Sequence, residues 1–172
     1  REVEFAPGVA QSATITPRPQ PAAPAAGGAA GGGVDTLISI ENVIGSAYND
    51  TFVVSTSSTL IDGGAGSNTL RITSTGTDAA PDEYNLTKVT NFQQTTLTSG
   101  TIAVSGSYTT TQLDILAGRY IGRTGSTLTA TTLNVASGAT FGSGGTVNGN
   151  INVAGTLAPG GTVGAMTVNG NV

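Results

Sequence analysis

The chain has 172 residues, a net charge of −4 and a pI near 4.4, with only 9% of its residues charged. Six scattered Lys and Arg cannot form the basic stripe that nucleic acid requires, which excludes that class of partner. Histidine and cysteine are both absent, which removes the usual general base, the commonest metal ligand and any disulfide staple.

With 26 Gly and Thr as the commonest polar residue, the composition predicts an all-β chain. Thr and Val suit a pleated, half-buried surface, and Gly permits tight corners. Apolar residues hold helical spacing nowhere for three turns; the best short candidate is Gln112–Leu116. No apolar run approaches the roughly eighteen residues of a spanning helix. The chain begins at Arg1 without an initiator Met or a signal sequence, so a piece of a longer, processed precursor is expected.

Residues 1–33 read as a Pro/Ala/Gly-rich linker or arm, disordered or extended. Pro7, Pro17, Pro19, Pro21 and Pro24 precede an almost pure Gly and Ala tract at Gly27–Gly33. The alternative is that Val3–Phe5 or Ala13–Ile15 docks as an added strand on a neighbour's edge.

From Val34 the pattern becomes strand and turn. Leu37, Ile38, Ile40, Val43 and Ile44 lead to a turn at Gly45–Asp50, and a second turn lies within Thr59–Ile72. Gly63–Arg71, reading GGAGSNTLR, resembles the nonapeptide of RTX calcium-binding repeats, so residues 34–73 are expected to be RTX-like coils. That resemblance implies calcium as the possible cofactor and Asp50, Asp62 and Asn68 as its ligands. The sequence departs from the repeat where Asn68 fills the Asp slot and where Ser46 and Tyr48 replace Gly. The same residues also suit plain solenoid corners, with Gly at positive φ and Asn or Asp making side-chain turn bonds.

Residues 74–91 break the rhythm and predict a solvated excursion loop carrying Asp78, Asp82 and Glu83 around Pro81. A paired-carboxylate site is the functional alternative, but adjacent residues of an extended chain point to opposite faces, which disfavours Asp82 and Glu83 as a pair.

From Phe92 the alternation returns, with Leu97, Ile102 and Val104 expected in the core and Thr and Ser outside. Asp114, Arg119 and Arg123 are the only charges from Asn91 to Val172. They read either as an anion-binding or lyase-like Arg site or as edge charges that discourage aggregation. The last forty residues carry VNGN at Val147–Asn150 and again at Val168–Asn171, twenty-one positions apart. A strand-and-turn unit recurring at that period marks a β-solenoid, here roughly six or seven coils.

Val89–Tyr108, Gly145–Asn150, Ala154–Gly160 and Thr167–Asn171 resemble the passenger-associated strand repeats of autotransporters. The resemblance covers 92–172 and implies a right-handed parallel β-helix over residues 34–172. It also implies export to the bacterial cell surface, outer membrane or extracellular space through a translocating β-barrel. The expected role is non-catalytic, structural or adhesive, with downstream coils of the same precursor and a host or neighbouring cell surface as partners. Loops at Ser74–Asn91 and Asp114–Arg123 are the expected contacts. The alternative is a self-assembling filament or layer subunit whose other copies stack head to tail through open solenoid ends. An enzyme on a β-helix would need clustered charges along one groove, which this composition does not supply.

Overall fold

The computed structural model describes residues 2–6, 12–14, 34–38, 42–54, 60–160 and 165–172. Every strand pairing is parallel, and successive strands alternate between sheets, so the chain winds as a β-solenoid of about six turns. A nine-stranded sheet runs the whole length, from Val34–Ile38 at one edge to Thr167–Asn169 at the other. A four-stranded sheet ending at Val89–Thr90 covers the N-terminal half. A five-stranded sheet from Asp82–Asn85 to Thr156–Leu157 covers the C-terminal half.

Of the expected arm, only Glu2–Ala6 and Ser12–Thr14 are described, and the Pro- and Gly-rich remainder lies outside the described residues. Glu2–Ala6 is not an added strand on a neighbour. It pairs within its own chain, between Val34–Ile38 and Thr51–Val54, and Ser12–Thr14 pairs with Asn42–Ile44.

Register sets the core. Residues one coil apart stack directly, so each inward position becomes a column along the axis. Ile102, Tyr120, Phe141 and Leu157 form one column. Tyr108, Leu128, Val147 and Val168 form another. Ile72, Leu97 and Ile115, successive members of a third, are all 0% exposed. Each such side chain contributes about 1.5–3 kcal/mol on burial. Leu97, Ile102 and Val104 are buried as expected.

Two expectations about the interior are corrected. Aromatic rings share the core with aliphatic chains: Phe52, Tyr84, Phe92, Tyr108, Tyr120 and Phe141 are all buried. Phe52 meets Phe92 edge to face at 5.4 Å, a favoured arrangement for two ring quadrupoles. Nor does Thr stay outside, because Thr95 and Thr110 are buried. Thr95 Oγ1 lies 2.6 Å from the Tyr108 hydroxyl and donates to Thr110 Oγ1 at 3.3 Å, so polar atoms inside the core satisfy one another. Gln112–Leu116, the best helical candidate, falls largely in the strand Ser107–Ile115. Leu113 and Ile115 there point inward on either side of Asp114.

Coil length varies where a uniform twenty-one was expected. Stacked partners lie 18 residues apart at Asp50 and Asn68, 25 at Asn68 and Gln93, and 21 at Asn148 and Asn169. The 25-residue interval contains the break at 74–91. That stretch is only partly an excursion: Asp82–Asn85 joins the five-stranded sheet, a 3-10 turn spans Leu86–Lys88, and Val89–Thr90 joins the four-stranded sheet. Tyr84, Leu86 and Val89 alternate into the core, which anchors this half of the segment, whereas residues 77–80 are exposed.

The repeated VNGN has a steric reason. At Gly149 φ is 139°, and a Cβ there would run into the Ala130 carbonyl; a Cβ at Gly170 would meet the Gly149 carbonyl in the same way. The backbones of successive coils approach too closely at this corner for any side chain. Flanking asparagines then form a ladder, with Asn169 Nδ2 donating to Asn148 Oδ1 at 2.8 Å and Asn148 Nδ2 to Thr129 Oγ1 at 3.2 Å.

Candidate functional site

The first candidate is the turn stack at Gly45–Asp50 and Gly63–Asn68. Asn68 sits one coil beyond Asp50 and is fully buried. Its Oδ1 accepts the Asp50 amide at 2.9 Å, and its Nδ2 faces the carbonyls of Gly64, Ala65 and Asn91 at 3.0–3.4 Å. Asp50 Oδ2 accepts the Ser46 amide at 2.6 Å and the Ser46 hydroxyl at 2.9 Å. Asp62 Oδ1 accepts the Gly64 amide at 2.9 Å and Asn91 Nδ2 at 2.6 Å. Each of the three residues thus spends side-chain oxygen on N–H or O–H donors that close its own turn or tie it to the next. Among the described residues no three His, Cys, Asp or Glu come together in a metal-holding group.

The second candidate is the charge set of the five-stranded sheet. Sequence placed Asp78, Asp82 and Glu83 apart from Arg119 and Arg123; the fold brings them onto one face, two coils apart. Arg119 Nη1 lies 3.2 Å from Asp78 Oδ2, and Thr101 Oγ1 donates to Asp78 Oδ1 at 2.8 Å. The Thr101 hydrogen bond, helped by the Arg119 charge, holds the Asp78 carboxyl below the usual aspartate range. Arg123 grips Glu83 with two prongs, Nη2 to Oε1 and Nε to Oε2, and the hydrogen bond raises its already high pKa. Asp82 turns away from this pair. Its Oδ2 accepts the Ser74 hydroxyl at 2.7 Å and the amides of Thr75 and Gly76 at 3.2 and 3.1 Å, which closes the neck of the loop. The acids and arginines therefore neutralise one another, and the two expected contact loops form one surface.

Asp114 is a hub on the nine-stranded sheet. Its Oδ2 accepts Gln112 at 2.7 Å and Gln94 at 3.3 Å, and its Oδ1 accepts Asn134 at 2.7 Å, which in turn accepts Asn152 at 2.9 Å. The ladder leaves this carboxylate 8% exposed.

The ladders of Thr and Ser, which the sequence offers to a partner as an extended face and not as a pocket, form a third candidate. The strand Ser107–Ile115 has nine residues against six in Gln94–Ser99, the strand that precedes it on the nine-stranded sheet, so its first half projects beside Val89–Thr90 without a ladder bond between them. A groove of about 580 Å³ lies along that seam. Val89 and Phe92 lie beneath its floor, each only 3% exposed, and Thr90, Asn91, Gln93, Ser107, Thr109 and Thr111 contribute polar groups; none of the lining side chains is charged. The alternations YTTT and TLTATT were the available signal.

Comparison with protein-family models, curated proteins and solved structures returns no match. Among the described residues no helix is long and apolar enough to cross a membrane, which does not bear on β-barrels.

Proposed function

We propose that this chain is a non-catalytic segment of an autotransporter passenger, exposed at or released from a bacterial surface, with a structural or adhesive role. The observation that carries this reading is the stacking of the two VNGN copies in register. Val147 lies under Val168 and Asn148 under Asn169, so the residues behind the resemblance serve as coil-to-coil joints. A rod built from neighbour contacts grows one coil at a time, which suits folding after passage through a pore. The absence of Cys suits the same passage. The test is display of the chain upstream of a translocating β-barrel in a Gram-negative host. Protease-accessible, folded chain on the cell surface, with increased cell adherence, is the expected result; retention in the periplasm would overturn the reading.

A second reading is a filament or layer subunit, since the strand pairing is parallel throughout the described residues and one coil can stack on a coil of another copy as it does on its own neighbour. A head-to-tail contact of that kind that does not close would give filaments of stacked copies. Light scattering and electron microscopy across concentration separate the two. Rods of uniform width that lengthen with concentration favour the filament subunit.

A further inference from the structure

We infer that the groove between Val89–Gln93 and Ser107–Thr111 binds a neutral, repeating polyhydroxyl chain, that is, an uncharged polysaccharide. This rests on the adhesive reading and names its ligand class. The lining excludes charged ligands on physical grounds: an anionic glycan would meet no cation there and a basic peptide no carboxylate. Hydroxyls both donate and accept, so a hydroxyl-lined wall matches a polyol more fully than it matches any other neutral surface.

Several of these groups are unengaged. The hydroxyls of Ser107, Thr109, Thr111 and Thr131 make no hydrogen bond among the described residues. Two amides are held at one end and open at the other. Gln93 Oε1 accepts the Asn68 amide at 2.6 Å, which leaves Nε2 as a donor of fixed orientation. Asn91 Nδ2 donates to Asp62 Oδ1 at 2.6 Å, which leaves Oδ1 as an acceptor. Asn91 is also the one non-glycine described residue at positive φ, 63°, a backbone cost that recurs where a side chain must be aimed.

The same groups recur along the axis, which is why a polymer fits better than a single sugar. Ser107, Thr127, Thr146 and Thr167 stack in one outward rank, and Thr109, Thr129, Asn148 and Asn169 in the next. Each rank repeats at the strand spacing, about 4.8 Å. A ligand seated in the groove can therefore continue along the face and meet a hydroxyl of the Ser107 rank at each coil, beside the hydrogen-bonded ladder of Thr129, Asn148 and Asn169.

The test uses the whole chain. Soluble β-glucan and galactomannan are run in affinity electrophoresis, cellulose and chitin in sedimentation, and polygalacturonate serves as the anionic probe. The variants are Thr111→Val with Thr131→Val, which keep shape and remove the hydroxyls, and Thr156→Val on the five-stranded sheet. Circular dichroism and melting establish that each is folded. Retarded migration or co-sedimentation with at least one neutral polysaccharide is expected. The double variant should bind at least ten-fold more weakly, with Thr156→Val unchanged. Binding to polygalacturonate alone, binding to none of the probes, or equal binding by the double variant would overturn the assignment. Adherence of displaying cells without glycan binding would remove the groove and leave the adhesive reading; glycan binding without export would do the reverse.

Discussion

The side-chain carbonyl of Asn68 accepts the backbone amide of Asp50 at 2.9 Å, across one full coil of the solenoid. A residue that reads as an imperfect metal ligand is thus a joint between turns. Its amide end faces three carbonyls, a task for which a carboxylate has no donor. Asn68→Ala should cost about 1–3 kcal/mol, and Asn68→Asp more, because it also sets charge against those carbonyls. Thermal melting reads both losses, at about 2–4 °C per kcal/mol for a chain of this size. Calcium should leave the midpoint of the unaltered chain where chelator leaves it. A calcium-dependent rise would instead assign Asp50, Asp62 and Asn68 to a metal.

Tyr84 and Tyr108 are both buried, but only Tyr108 has a hydroxyl partner. Tyr84 Oη makes no hydrogen bond, while Tyr108 Oη lies 2.6 Å from Thr95 Oγ1. Tyr84→Phe should therefore stabilise the chain by about 1 kcal/mol, since it removes an unsatisfied buried group. Tyr108→Phe should cost about the same. Equal effects of the two substitutions in urea unfolding would contradict this account.

Burial pushes the phenols of Tyr84, Tyr108 and Tyr120 above their ordinary value of 10.0. Unfolded tyrosine ionises first, so above pH 10 the unfolded state binds fewer protons than the native state and stability falls as pH rises. Stability should be flat with respect to these groups below that point. Above it, Tyr108 and Tyr120 should each contribute a loss of about 1.4 kcal/mol per pH unit. Tyrosinate absorbance from the three buried rings should rise together with loss of β-sheet signal. Their ionisation while the sheet signal persists would show that the core admits hydroxide.

At the acid end the sign is reversed. The Asp78 carboxyl is held below its ordinary 3.8, so its attachment to Thr101 and Arg119 is fully present above that value and is lost as pH falls through the lower, folded one. Asp78→Asn should remove this acid response and free the loop at residues 77–80 while leaving the sheets intact. Amide exchange at Thr77–Ala80, followed from pH 5 downward, checks both points. An unchanged exchange profile in the variant would mean that Asp82, closing the neck, holds the loop alone.

How much of this was legible in the sequence differs from element to element. Alternation at Leu97, Ile102, Val104 and Val147, with Gly at the corners, specified strands, turns and their winding into a solenoid, because side-chain direction along a strand has a period of two regardless of context. The twenty-one-residue recurrence of VNGN located the last coil for the same reason: backbone contact at Gly149 and Gly170 is a requirement that composition alone displays. Tertiary structure decided what lies side by side between coils. That Arg119 meets Asp78 and Arg123 meets Glu83, and that Asn68 joins Asp50, depends on coil lengths of 18 to 25 residues. Those lengths are set by how much chain each corner absorbs, a quantity no local pattern encodes. The groove beside Val89 arises likewise, where one strand outreaches its predecessor. Local periodicity determined the coil and the bonds that close single turns; register between coils determined the polar contacts from one coil to the next and the groove beside Val89.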